Sequence, residues 1–335
     1  MQILGNEKNL KFLKESAESG HLSHAYIISG PEGSGKKTFA RNAAAALLCE
    51  NKKDGTGFAP CGYCASCKRA LSENHPDIIR VTHEKKNTLS VDEVRDEIVR
   101  DIDIRPYYGA YKIYIIEDAH LMLPQAQNAL LKTIEEPPAY AVIFLLSDNA
   151  DAFLDTIKSR SIRLDMEGLK SDVIEAELKA RGTDADFART ACAFARGNLG
   201  LAIKITQEES IREDLEFIIK VLSKIKDADA FEISEYSRLL SENAFPKITD
   251  AFRKWYRDVL VIKSCGKGEL FFSKEEKMLA LQAKSMSYEN LNNIFTDINE
   301  ADERLTFNVN PKAVYEALLL RIRQNGKGYR NQIQE

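Results

Sequence analysis

The stretch Gly-Pro-Glu-Gly-Ser-Gly-Lys-Lys-Thr, residues 30 to 38, follows an apolar run and precedes an alanine-rich segment of helical character. Strand, glycine-rich turn and helix in that order restrict the fold more than any other feature of the chain. Such a turn aims backbone N–H groups at phosphate oxygens, and the helix N-terminus adds partial positive charge. The phosphate-loop pattern asks for Gly, four residues, Gly, Lys and then Ser or Thr. Gly30, Gly35 and Lys36 obey it, with Gly33 inside the turn. Lys36 would reach the β- and γ-phosphates. Lys37 stands where the hydroxyl belongs, and Thr38 comes one step late. An ammonium cannot ligate Mg²⁺, and Thr38 lies about 100° further around the helix. The loop can bind phosphate, but it lacks the usual metal ligand for hydrolysis.

The first half alternates apolar runs with helical stretches. The runs are AYIIS at 25–29, DIIRV at 77–81, KIYIIE at 112–117, AVIFLLS at 141–147 and SIRL at 161–164. Several are almost wholly apolar, as strands buried on both faces are. Helical segments between them predict a parallel sheet covered on both sides. After about residue 167 the strand signals fade. Short helices punctuated by Gly182 and Gly197 follow, then helices nearly to the end. The tail from 324 reads as frayed.

The run ending in Glu117 and Asp118 is a candidate metal strand. In ATPases of this kind the order is usually Asp then Glu. Here it is reversed, which displaces both carboxylates by roughly one bond, and ~1 Å can cost ~10² in rate. The alternative is an ordinary strand end with two solvated acids, which the phosphate-type loop about 80 residues upstream disfavours.

Four of the six cysteines, Cys49, Cys61, Cys64 and Cys67, lie close together. Two successive C-x2-C steps suit a tetrahedral zinc ion, and four thiolates with no nearby histidine imply a closed structural site. Cys192 reads as a small buried residue and Cys265 as an incidental loop thiol. The formal net charge is −4, which gives bulk electrostatics no part in binding nucleic acid. No apolar run approaches the ~20 residues of a membrane helix, and the opening MQILGNEKNLKFLKE has no signal core. A cytoplasmic protein is expected.

Several segments together resemble the clamp-loader branch of the AAA+ ATPases. They are HAYIISGPEGSGKKT, the cysteine module after the first loop helix, NALLKTIEEPP at 128–138, IKSRS at 157–161 and NEADERLTFNVNPKAVYEALLLRI near the end. The resemblance covers roughly residues 1–205 well. It implies a RecA-like AAA+ core over 1–167, a small helical lid over 168–207 and an all-α collar over 208–335. It also implies a place in a five-membered ring with γ/τ and δ subunits of DNA polymerase III. The ring would load a sliding clamp onto primer–template DNA.

By that resemblance Arg160, in Ser159-Arg160-Ser161, is an arginine finger projecting into a neighbour's ATP site. Such fingers contribute ~10³–10⁵ in rate. The family's motif has Cys where Ser161 stands. Ser or Thr after the loop lysine, an Asp-Glu pair and a lid arginine mark the family's motor subunits. This chain has Lys37, Glu117-Asp118 and Gly200 at those places. A structural subunit with weak or absent ATPase activity of its own is therefore expected, Zn²⁺ being its cofactor and Mg²⁺–ATP doubtful. Two alternatives stand beside it. One is a γ/τ-like motor using Lys36, Glu117 and Asp118 on its own ATP. The other is a zinc-dependent nucleic-acid module. Ala129, Leu130 and Ile134 would form a buried stripe, with Lys132, Glu135 and Glu136 in solvent. Trp255 and Tyr256 read as buried anchors. Arg304, Asn308 and Asn310 match the family's ending and are given a structural role.

Overall fold

The computed structural model describes residues 3–51, 58–82, 88–266, 268–307 and 309–326. Asn308 and the tail beyond 326 lie outside the described residues, as do 52–57 within the cysteine module. Two compact units are present: residues 1–170 with 197–201, and residues 171–196 with 202–335.

Among the described residues the first unit is built on five strands: β1 (Ala25–Ser29), β2 (Ile78–Val81), β3 (Lys112–Ile116), β4 (Ala141–Ser147) and β5 (Ile162–Asp165). Their order is β2-β3-β4-β1-β5 and every pairing is parallel. The expected class, a parallel α/β sheet followed by a helical C-terminal region, is borne out. Strand residues divide between two cores by period 2. Ala25, Ile27, Tyr114, Ile116, Ile143 and Leu145 face one side, and Tyr26, Ile28, Ile113, Ile115, Phe144 and Leu146 the other.

Helices α1 (Glu7–Glu18) and α2 (Lys36–Leu47) cover the second face through Leu13, Phe39, Ala40, Ala43 and Leu47. Alanines let α2 lie close to the sheet. After α3 (Ala65–Leu71), α4 (Val91–Val94) runs into a π-helical turn, Arg95–Val99. Together with α5 (Pro124–Glu135) they cover the first face through Val94, Ile98, Ala126, Leu130 and Ile134. Ser90 and Glu93 cap α4 reciprocally, and Pro124 opens α5 at a position where a missing N–H is harmless. Lys132, Glu135 and Glu136 are exposed, as the amphipathic pattern requires. A short helix, α6 (Asp155–Lys158), leads into β5.

The second unit holds α7 (Ser171–Ala180), α8 (Ala185–Ala195) and most of α9 (Leu199–Gln207). It continues with α10 (Glu209–Lys224), α11 (Ala230–Glu242), α12 (Ile248–Cys265), α13 (Glu276–Ser285), α14 (Tyr288–Thr306) and α15 (Pro311–Gly326). Trp255 and Tyr256 are fully buried in α12, and the indole N–H donates to Gln282 Oε1 at 2.8 Å. Val314, Leu318 and Leu319 are buried, as is Cys192, whereas Cys265 is exposed. Asn310 Oδ1 accepts from the amide of Lys312, and Arg304 pairs with Glu300. Among the described residues no helix is long and apolar enough to cross a membrane.

Candidate nucleotide loop, metal centre and exposed arginine

Strand β1 lies between β4 and β5, so the turn leaving it sits at the C-terminal edge of the sheet interior, where parallel α/β sheets build their sites. Gly33 and Gly35 have φ of +79° and +90°, values that favour glycine. Gly35 caps α2, whose first residues are Lys36, Lys37 and Thr38. Thr38 is half-buried, and its carbonyl accepts from Asn42 at 2.8 Å.

Lys36 is buried, and its ammonium points back into its own loop. Nζ donates to the carbonyls of Gly30 (2.6 Å) and Pro31 (2.9 Å) and to Asp148 Oδ1 (2.6 Å). An ammonium has three protons, so these bonds use all of them. Asp148 follows β4, the strand beside β1, which is how a residue so distant in sequence reaches the loop.

Lys37 meets the acidic pair. Its Nζ lies 2.7 Å from Glu117 Oε2 and 3.6 Å from Asp118 Oδ2. Arg80, on β2, holds the other oxygen of Glu117 through Nη2 (2.6 Å) and Nε (3.1 Å). Arg80 also pairs with Glu73, which in turn meets Arg41 at 2.7 Å. Burial raises the Glu117 pKa, but the hydrogen bonds and charges of Lys37 and Arg80 outweigh it and hold the carboxyl below its usual range. Burial lowers the Lys37 pKa, and Glu117 and Asp118 more than reverse that. The reversed acid pair thus faces protein cations. A metal ion there would have to displace an ammonium already ion-paired to both carboxylates.

The four cysteines come together at the end of α2 and the start of α3. Their sulfurs all lie within 4.8 Å of one another. Cys61 and Cys67 are 3.8 Å apart, close to the ~3.8 Å edge of a tetrahedron with Zn–S ≈ 2.3 Å. The amides of Cys64 and Cys67 donate to the sulfurs of Cys61 (3.4 Å) and Cys64 (3.3 Å), bonds that stabilise thiolates. Gly62, at φ +79°, makes the tight turn. Cys49, Cys61, Cys64 and Cys67 therefore fit a metal ion by donor chemistry and by spacing. Behind them Ser66 Oγ donates to the Leu48 carbonyl (2.7 Å) and contacts His75 Nε2 (3.1 Å). His75 Nδ1 accepts from the Asp77 amide, so Nε2 carries the proton.

Arg160 stands at the end of α6, just before β5. Its side chain is 43% exposed. Nη2 pairs with Glu135 Oε1 at 3.2 Å, and Nη1 donates to the Thr156 carbonyl and Ser159 Oγ, both at 3.2 Å. It is held on the surface and is not drawn into the core. Beside it, Ser161 Oγ is buried without a hydrogen-bond partner.

The geometry thus gathers Gly30, Gly33, Gly35, Lys36, Lys37, Glu117 and Asp118 around the loop and the cysteines in a second place. It adds Arg80, Asp148 and Asp77, which the sequence had not singled out, and gives Glu135, read as a solvated residue, an ion pair with Arg160. Asp77, fully buried, accepts from the amides of Tyr107 (2.6 Å), Tyr108 (2.8 Å) and Gly109 (3.1 Å). An Asp at the head of an apolar strand run was the only available signal for it.

Residues 5–170 match the family described as DNA polymerase III, delta subunit. The chain is 29% identical over 321 residues to DNA polymerase III subunit delta′ of Bacillus subtilis, covering 94% of this chain and 95% of that one. Subunit tau of the same organism is 36% identical over 173 residues, which are 51% of this chain and 30% of that relative. A gamma subunit-related protein of Thermotoga maritima aligns in structure with a TM-score of 0.41 and 18% identity, covering 94% of this chain and 99% of that one. The clamp-loader resemblance carried by the sequence motifs is borne out, and near full-length similarity is to delta′.

Proposed function

We propose that this chain is a structural, delta′-like subunit of a DNA polymerase III clamp loader, with no effective ATPase of its own. Its task is to support a ring with γ/τ-like and δ-like subunits and to present Arg160 to a neighbour's nucleotide. The sliding clamp and primer–template DNA are reached through the ring. The carrying observation is Lys37, whose ammonium neutralises Glu117 and Asp118 where hydrolysis needs Mg²⁺. Exposure of Arg160 supports the second half of the reading, since a guanidinium must reach solvent before it can reach another subunit. Its own glutamate partner holds it only by a surface ion pair, a bond of about 0–1 kcal/mol that a triphosphate can replace.

The core, lid and collar division expected from the sequence belongs to the same reading. So does a structural zinc ion on Cys49, Cys61, Cys64 and Cys67, which would join α2 to α3 and do no chemistry. The motor alternative draws on the 36% identity to tau, but it needs Mg²⁺ in a place filled by Lys37.

The test is turnover by the isolated chain, with Lys36→Ala as control, and turnover of a reconstituted complex with and without the chain. The proposal expects no Lys36-dependent hydrolysis by the chain alone and a marked gain on adding it to its partners. Brisk solitary turnover abolished by Lys36→Ala would establish the motor instead.

A further inference from the structure

Position 200 carries more than the loss of an arginine. The turn 197–201 returns to the sheet unit and lies on the phosphate loop. The Gly200 amide donates to the Gly33 carbonyl at 3.0 Å, and the Asn198 side-chain amide donates to the Glu32 carbonyl at 2.6 Å. Asn198 is itself fixed, because its Oδ1 accepts from the Leu201 amide at 2.9 Å. The two backbones touch with no room between them. A Cβ on Gly200 would stand 2.5 Å from Gly33 Cα, 2.6 Å from its oxygen and 2.9 Å from its carbonyl carbon. A Cβ on Gly33 would stand 2.6 Å from Asn198 Oδ1. The obstacles to Gly200 are backbone atoms, which cannot rotate aside. Gly33 must also be glycine for its positive φ.

We propose that Gly200 and Asn198 form a built-in latch that holds the phosphate loop in its closed shape without any nucleotide. The tip of the loop, at Glu32 and Gly33, is tied to the turn. Its base is tied by Lys36 to the Gly30 and Pro31 carbonyls and to Asp148. In an ordinary phosphate loop the triphosphate supplies the bonds that order the turn. Here protein donors hold the loop through its carbonyls at both ends. The substitution at 200 is then a requirement of the latch, since every other side chain forces the turn off the loop. The latch rests on the structural-subunit reading for its purpose: a member of the ring whose shape does not follow the nucleotide cycle.

Hydrogen exchange of the full chain tests it, with and without Mg²⁺–ATP at about 100-fold over the affinity of an ordinary nucleotide site. Amides of Gly30, Ser34, Gly200 and Leu201, the donors in and beside the latched loop, should be protected in the unliganded wild type, and ATP should change their rates less than about twofold. Gly200→Ala should raise exchange there at least about tenfold while β3 and β4 keep their protection. Should Gly200→Ala fold poorly, Asn198→Ala, which removes only the side-chain tie, should give a smaller rise at the same amides. Unprotected loop amides in the wild type, or a tenfold gain of protection with ATP, would overturn the proposal. The same outcome follows if neither variant changes the loop. These results are separable from the arginine reading. A protected, nucleotide-indifferent loop in a chain whose Arg160→Ala variant supports normal turnover leaves the latch and removes the finger. The opposite pair of results does the reverse.

Discussion

Replacing Lys37 by Met tests whether the ammonium does neutralise the acid pair. Glu117 is nearly buried, its side chain 8% exposed, and two cations hold its two oxygens. A hydrogen bond between charged groups contributes ~1.5–3 kcal/mol. The Lys37 side chain is 54% exposed, so water replaces and screens part of this, leaving about 1 kcal/mol for Lys37→Met. Glu117→Gln removes the charge that both cations face, while Arg80 keeps Glu73, and should cost about 2 kcal/mol. The double variant should cost somewhat under about 1 kcal/mol less than the sum, because once the Glu117 carboxylate is gone Lys37 keeps only its longer contact with Asp118. Trp255 is the only tryptophan and belongs to the helical unit, so its fluorescence is blind to this region. Native-state hydrogen exchange at β1 and β3 amides reads the right unit. The pH dependence gives an independent check. Because the folded pKa of Glu117 is depressed below its ordinary 4.5, its stabilisation is complete above about 4.5 and fades as pH falls through the folded value. Additive variants, within about 0.3 kcal/mol, or a coupling that survives acid, would refute the ion-pair account.

Two further outcomes follow from the same geometry. Elemental analysis of the purified chain should find about one zinc per chain, and Cys64→Ser, which removes a ligand at the α3 cap, should lose most of it. A metal-free chain with normal stability would contradict the closed site. Ser161→Cys should stabilise by about 1 kcal/mol in chemical denaturation, because a buried hydroxyl without a partner costs ~1–3 kcal/mol and a thiol costs less. A destabilised variant would mean that Ser161 has an unrecognised partner.

Much of this was legible in the sequence because it is local. β1, the glycine turn and α2 are consecutive, and their periodicity and glycines declare them. The cysteines lie within 19 residues, so spacing alone brings them together. The Glu117-Asp118 order and Lys37 were readable as departures, but not the fact that they answer each other. That contact depends on β3 lying two strands from β1. Asp148 reaches Lys36 by the same kind of distant adjacency, and Arg80 reaches Glu117 from the edge strand. Gly200 was read as an absent arginine. Only the placement of the turn 197–201 against Gly33 shows that glycine is demanded there. The short helix α4 and its π-helical turn carried too few residues for periodicity to mark them, and their capping box became meaningful once Val94 and Ile98 were seen against the sheet. Sequence patterns report neighbours along the chain, while the ends of parallel strands bring together groups a hundred residues apart.

The central claim is that Arg160 acts on another subunit's nucleotide. Its most direct test is single-turnover hydrolysis at the adjoining site in an assembled complex containing Arg160→Ala, with Glu135→Gln as a control that frees the arginine without removing it. The account predicts a loss of about 10³-fold or more at that site with assembly intact, and activity retained in Glu135→Gln. Undiminished hydrolysis with Arg160→Ala would contradict it.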